Sequence, residues 1–303
     1  MASPLGGQEA VVDPVDQAVQ SPGQDPDAPF TMKWSLQGGF SYQLRSKLDT
    51  GGHVSWSRSH AHVKGRMPIN DEVELLVGAR YQYDNFDFSD AGLGGEPFSG
   101  VNTVQLDGVV QWKATPRWQI FAGGQAIFSV GQGADFGNAI TGGGAVGAVY
   151  SFSEKFSIGG GLGARSQILD EVLIYPIIVV DWHITDRLLL STRMTSGWAN
   201  QTGAELSYEL KPGVDVGVAA VFDYQRFRLS DDSAVAPGGA GSTEALPLAA
   251  FISFDVGERA SITCFVGANV YGRVKVTDTS RSDVWASTYD PAPILGVQGT
   301  IAF

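Results

Sequence analysis

The chain has 303 residues, 43% of them hydrophobic and 17% charged, with 39 glycines and 14 prolines; that charge content is well below the quarter or so usual in soluble domains. A net charge of −12 argues against a nucleic-acid partner, and the single cysteine, Cys264, excludes an internal disulfide and any cysteine-based zinc site. The length fits one large β domain or two ordinary domains.

The first ten residues, "MASPLGGQEA", have neither the basic start nor the apolar stretch of a signal peptide. This leaves either a cytosolic chain or a processed one carrying an added Met1. Residues 1–29 contain Glu9, Asp13, Asp16, Asp25 and Asp27, several prolines, and no Lys or Arg. With so little apolar content this stretch is expected to be a disordered acidic tail, a solvated leader rather than a tether.

From Phe30 onward, alternating segments follow one another with almost no helical periodicity. "EVELLVGARYQYD" puts Val73, Leu75, Val77, Ala79, Tyr81 and Tyr83 on one face. "TVQLDGVVQWK" opposes Val104, Leu106, Val110 and Trp112 to Gln105, Asp107, Gln111 and Lys113. The longest apolar run, Val172–Val180, is far shorter than the about 20 residues of a membrane helix. "VDVGVAAVFDY" alternates in the same way, and the closing segment places Leu295, Val297, Ile301 and Phe303 on one face.

The connections alternate too. "VQWKATPRWQIF", "YSFSEKFSIG", "DWHITDRLLL" and "SFDVGERASIT" read as tight hairpins, with "SYELKPGVDVG" a looser fifth. Between them lie longer polar stretches, "NFDFSDAGLGGEPFSGVN", "SVGQGADFGN", "LSDDSAVAPGGAGSTE" and "TDTSRSDVWASTYD". Trp34, Trp112, Trp118, Tyr150, Phe152, Phe156 and Trp182 stand at strand ends. Short turns on one side, longer loops on the other and an aromatic girdle are the pattern of a transmembrane antiparallel β-barrel. Over residues 30–303 the chain resembles the bacterial outer-membrane barrels, and the terminal Phe303 resembles their closing-strand insertion signature. That resemblance is architectural and points to no specific porin family. It implies outer-membrane lipid and the barrel-insertion machinery as partners, and both termini on the periplasmic side.

The predicted strands are 32–45, 51–64, 72–86, 103–114, 118–130, 139–153, 155–167, 172–184, 187–197, 201–211, 213–228, 244–256, 260–276 and 291–303. They make an all-β, up-and-down barrel of about 14 strands. The second strand is irregular, with Val54 and Trp56 in one phase and Ala61 and Val63 in the other. A bulge near Ser57 would reconcile them; without that strand the count falls back to about 12.

With the apolar face outward, Lys33, Arg45, Arg80, Lys113, Arg165, Arg187, Arg193, Arg273 and Lys275 face inward, against Glu74, Asp107, Asp181, Glu205, Glu209, Asp215, Asp223 and Asp255. Inward Gly39, Gly123, Gly143, Gly147, Gly159, Gly161, Gly163 and Gly267 are expected to leave space. Charges inside must pair or meet water. The two readings are a channel whose walls set a transverse field and a salt-bridged interior that only fills the barrel. The selectivity candidates are Arg80, Arg165, Arg193, Arg273, Asp107, Glu205 and Asp223.

Other constellations favour plain structural roles. His60 and His62 share a face with spacing suited to a metal, but no third ligand is evident, so no metal is expected. His53 and Ser55 are spaced as in the outer-membrane phospholipases, but the surrounding residues do not match. Asp181 and His183 read as a hydrogen-bonded pair, and Asp84, Asp87 and Asp90 as loop-solubilising rather than calcium-binding. Gly124, Ala126, Gly142, Gly144, Ala148, Gly160 and Ala164 form a small-residue lipid face, either an interface for another copy or an envelope-complex partner or a place where the sheet bends.

The chain is thus expected to be a non-enzymatic, cofactor-free, porin-like channel for small hydrophilic solutes. The alternative is a structural or anchoring barrel of an envelope complex.

Overall fold

The computed structural model describes residues 32–92, 96–192 and 202–303; the expected acidic tail lies outside the described residues. The strands are β1 (Lys33–Lys47), β2 (His53–Pro68), β3 (Val73–Ser89), β4 (Gly100–Lys113), β5 (Trp118–Gly131), β6 (Ile140–Ser153), β7 (Phe156–Arg165) and β8 (Leu173–His183). They continue as β9 (Leu188–Ser191), β10 (Thr202–Lys211), β11 (Val214–Arg228), β12 (Ala240–Val256), β13 (Ala260–Thr277), β14 (Asp283–Tyr289) and β15 (Ala292–Ala302). Each strand up to β14 pairs antiparallel with the one before it, β15 pairs with β13, and β15 closes on β1.

The last two are lengths of one strand. β13 pairs Gly272 with Tyr289 and Asn269 with Ala292 in a single frame, interrupted only at Asp290–Pro291, where proline offers no N–H. The barrel therefore has 14 staves. Half of the stretch predicted as a loop over 277–290 is strand. β12 likewise starts at Ala240 rather than 244, and β9 is described only to Ser191 of the predicted 187–197.

Both described chain ends lie with the short turns 69–72, 114–117, 154–155, 184–187, 212–213 and 257–259; this is the turn end. The opposite, loop end carries 48–52, 90–99, 132–139, 166–172, 229–239 and 278–282. At the turn end Lys155 bonds Asp186 and holds its carboxyl below the usual range. Towards the turn end the outer face is apolar: Leu36, Phe40, Val110, Leu162, Ile178, Val218, Val266 and Leu295 are all exposed. A band of this size is untenable in water and suited to lipid. Trp118, Tyr150, Phe152, Phe156 and Trp182 form an unbroken row across β5–β8, with ring centroids 4.8–5.8 Å apart. Among the described residues no helix is long and apolar enough to cross a membrane; the strands do the crossing.

Several strands exceed the about 9–11 residues needed to cross, β13 reaching 18, so the barrel continues beyond its apolar belt. There the polarity inverts. On β3, Tyr81 and Tyr83 face out and Arg80, Gln82 and Asp84 face in; further along, Asn85 and Asp87 face out and Phe86 and Phe88 face in. β1, β13 and the final strand reach the same inversion by a jump in phase. Inward residues run Gln37, Gln43, then Ser46, Leu48; Phe265, Asn269, then Val274, Val276; Ile294, Ala292, then Tyr289, Trp285. The jumps lie side by side, so Gln43↔Ile294, Leu48↔Tyr289, Asn269↔Ala292 and Gly272↔Tyr289 keep their frames. The irregularity predicted near Ser57 is thus a bulge in β1, between Gln43 and Ser46, and β2 pairs with β3 without a shift.

Inside, the glycines do not leave open space. Phe121 lies directly across from Gly147, Tyr175 from Gly163, Phe251 from Gly217, Phe265 from Gly296, Phe227 from Gly241 and Tyr289 from Gly272. In each pair the ring occupies the volume a Cβ would take. At the loop end, Phe98 meets Phe86, Phe88 and Phe227 edge-on at 5.1, 5.1 and 4.8 Å, within a core that includes Trp56, Trp285 and Tyr289. The β11–β12 hairpin leans across to β5, with Arg228 against Val130.

A methyl at Gly147 would meet the Phe121 ring at 2.2 Å and the Gly160 carbonyl at 2.6 Å, whereas one at outward Gly124 finds its nearest neighbour at 3.5 Å. Gly147→Ala is therefore expected to cost about 1–3 kcal/mol, read by urea unfolding in detergent, and Gly124→Ala close to nothing.

Candidate functional site

The alternation of β2, β3 and β11 directs Arg58, Asp84 and Asp223 into the lumen, where they are 5%, 0% and 7% exposed. Arg58 donates from Nε to Asp84 at 2.5 Å and from Nη1 to Asp223 at 2.7 Å, tying β2 and β3 to the opposite wall. Its guanidinium also lies 5.3 Å from the centre of the Trp56 ring. Gln82 donates to the second Asp84 oxygen at 2.6 Å and accepts from Arg80. Gln43 accepts from Trp56 at 2.9 Å and from Asn269. Buried charge survives without water only with this degree of satisfaction.

Towards the turn end the charges separate by wall. Lys33, Lys64, Arg66 and Lys113 lie on β1, β2 and β4; Asp181, Glu205, Glu209, Asp215 and Asp255 lie on β8, β10, β11 and β12. Arg66 pairs with Glu74 across β2–β3. Asp215 has Glu209, Asp255 and Glu205 as its electrostatic neighbours. Between the walls the lumen is filled by two further apolar groups, one around Phe121 and Tyr175, the other around Phe251 and Phe265. A cavity of about 60 Å³ lies between β3–β7 and β11 and is lined by Arg80, Arg165 and Arg226 among others. Those beside Arg58 are about 20 and 10 Å³.

Of the predicted selectivity residues, Arg80, Arg165 and Asp223 line the cavity between β3–β7 and β11. Glu205 is 1% exposed on the acidic wall, and Asp107 faces inward 3.4 Å from Gln105. Arg193 lies outside the described residues. Arg273, Lys275 and Arg45 are turned outward by the phase jumps: Val274 and Val276 take the inner positions, Lys275 pairs with Asp283 at 3.1 Å, and Arg45 bonds Ser89 at 2.6 Å. Arg58, Arg66 and Arg226 were not anticipated. The signal for Arg58 was its spacing from His60 and His62 in one unbroken phase of β2.

The remaining constellations fall as follows. His60 and His62 both face inward, and His62 is the register partner of Arg80, a cation and a poor neighbour for a metal. Among the described residues no group of three His, Cys, Asp or Glu is placed to hold one. Asp181 and His183 are 3.5 Å apart. Asp84 and Asp87 belong to β3 and point to opposite faces, so they do not gather with Asp90. The small residues from Gly124 to Ala164 lie on the outer face of β5–β7. Phe303 donates its backbone N–H to Trp34 at 2.9 Å beside the closing seam.

A closed antiparallel barrel with an apolar, aromatic-edged belt outside and charge inside is an outer-membrane β-barrel. The chain belongs to the DUF6268 family, described as a domain of unknown function, whose model matches residues 113–297. No curated protein matches it. Among solved structures it is similar to an outer membrane channel from Pseudomonas putida F1, with 10% identity, TM-score 0.48, and coverage of 94% of this chain and 100% of that one. It is also similar to a deletion mutant of the TodX monoaromatic hydrocarbon channel, with 9% identity, TM-score 0.45 and 92% of each chain. A third is a NanC porin, with 9% identity, TM-score 0.33, and 87% of this chain against 98% of that one. Likenesses this remote carry no argument about solute or site.

Removing one partner of a buried ion pair strands the other, at about 3–5 kcal/mol. Asp223→Ala should lower unfolding stability by that order, and Arg58→Met in the same chain should add much less than it costs alone. A double-mutant cycle in urea checks this.

Proposed function

We propose that this barrel is an outer-membrane channel for passive diffusion of small hydrophilic solutes, closed at its loop end in this conformation. Its termini and short turns lie in the periplasm and its loops outside. The observation that carries the reading is who supplies the stopper. Ala91 and Phe98 come from loop 90–99, and Leu229 and Ala236 from loop 229–239, and all four pack into the aromatic core over the charged lumen. Rings borne by strands cannot leave without opening the barrel; a ring borne by a loop can. Below it, the basic wall of β1, β2 and β4 faces the acidic wall of β8 and β10–β12, the arrangement that sets a transverse field on a passing solute. The reading requires no nucleophile and no cofactor.

A second reading is supported by the filling of the lumen: a structural barrel held in an envelope complex through the small-residue face of β5–β7. Planar-bilayer recording separates the two. A channel is expected to conduct rarely as wild type, to open more often as Phe98→Ala, and to change ion selectivity when Arg80 and Arg165 are replaced by Gln. A folded barrel that never conducts, with or without Phe98, overturns the channel and favours the structural reading.

A further inference from the structure

The cavity between β3–β7 and β11 is lined by three arginines and one carboxylate. Arg80 is 5% exposed, bonds only the neutral Gln82, and has a buried Nε with no partner. No carboxylate of the described residues pairs with it. Arg165, further along the same wall on β7, has the Tyr224 ring of β11 at 5.6 Å and no paired carboxylate among the described residues. The one acid lining the cavity, Asp223, is committed to Arg58 at 2.7 Å. Arg226, the third guanidinium, is held by the Ile168 carbonyl at 2.6 Å and by Asp170 at 3.5 Å, which fixes the loop end of the cavity.

A buried guanidinium that no carboxylate bonds directly is costly to retain; Asp84, Asp223 and Asp107 attract Arg80 only from beyond ion-pair distance, and Arg58 repels it. Buried Arg80 and half-buried Arg165 line a shared space of about 60 Å³, whose walls also carry Ser129, bonded to Thr103, and Thr141, bonded to the Ile127 carbonyl. A water needs about 10–15 Å³, so the space holds a few waters or one small oxyanion. Guanidinium forks brought to one space from separate strands are the donor set for a phosphate or carboxylate group.

We propose that this cavity is a binding site for a small oxyanion, phosphate-like or carboxylate, held between Arg80 and Arg165. The site is independent of conduction: a barrel that never opens still binds, and a barrel that conducts need not.

The test is titration of the folded barrel in detergent with inorganic phosphate against a chloride background, by calorimetry and by the thermal unfolding midpoint. Wild type is expected to bind saturably and to unfold at a higher temperature with phosphate. Arg80→Gln and Arg165→Gln are each expected to bind at least about tenfold more weakly, the loss of charge-assisted hydrogen bonds, and to lose the thermal shift. Lys155→Gln, at an exposed turn, should bind as wild type does. Absence of saturable binding to wild type, or unchanged affinity in the two cavity variants, overturns the proposal. Should Arg80→Gln fail to fold, Arg165→Gln decides the matter alone.

Discussion

The rest of the interior is arranged around one guanidinium. Arg58 reaches across the lumen to Asp223 while holding Asp84 beside it, so strands far apart in the chain are fixed at a set distance. Such a tie, taken out of water, depends on the hydrogen bonds that Gln82 and the two carboxylates supply around it. Gln82 and Arg80 extend it along β3, while Trp56, stacked beside Arg58, hands it on to Gln43 and Asn269 on the neighbouring wall. The apolar groups above and below keep the dielectric low around it. The tie and the filling support each other, since a wide aqueous pore would weaken the first and the absence of the first would leave Asp84 and Asp223 repelling one another.

Much of this was legible in the chain. Strand number, the alternation of short and long connections and the girdle all follow from period-two patterning, which is strong wherever one face meets lipid. Two features resisted. The inward glycines read as vacant space because the ring that fills each one belongs to the neighbouring strand; Gly147 is uninformative until Phe121 is known to stand opposite it. Arg45, Arg273 and Lys275 were assigned inward by carrying one phase through an entire strand.

Both that error and the apparent contradiction within β2 have the same origin. Where the barrel leaves its apolar belt, the inside becomes apolar and the outside polar. β1, β13 and the final strand keep their alternation in sequence and turn it over in space with a bulge. β2 and β3 have no bulge and instead change alternation: Val63 faces out low on β2, while Trp56 faces in near its loop end. A broken pattern in an unbulged strand and an unbroken pattern in a bulged one therefore report the same physical boundary.

The level of Gln43, Asn269 and Asp290 accordingly separates two regimes of tolerance to change. Nearer the turn end, a lysine placed on the outer face must be buried in hydrocarbon, and an inward apolar residue merely adds bulk. Nearer the loop end the penalties exchange places, because the chain there obeys the rules of a water-soluble protein. Substitutions accumulating in this family should thus obey opposite preferences on the two sides of a line that crosses β1, β2, β3, β13 and the final strand, although no domain boundary runs along it.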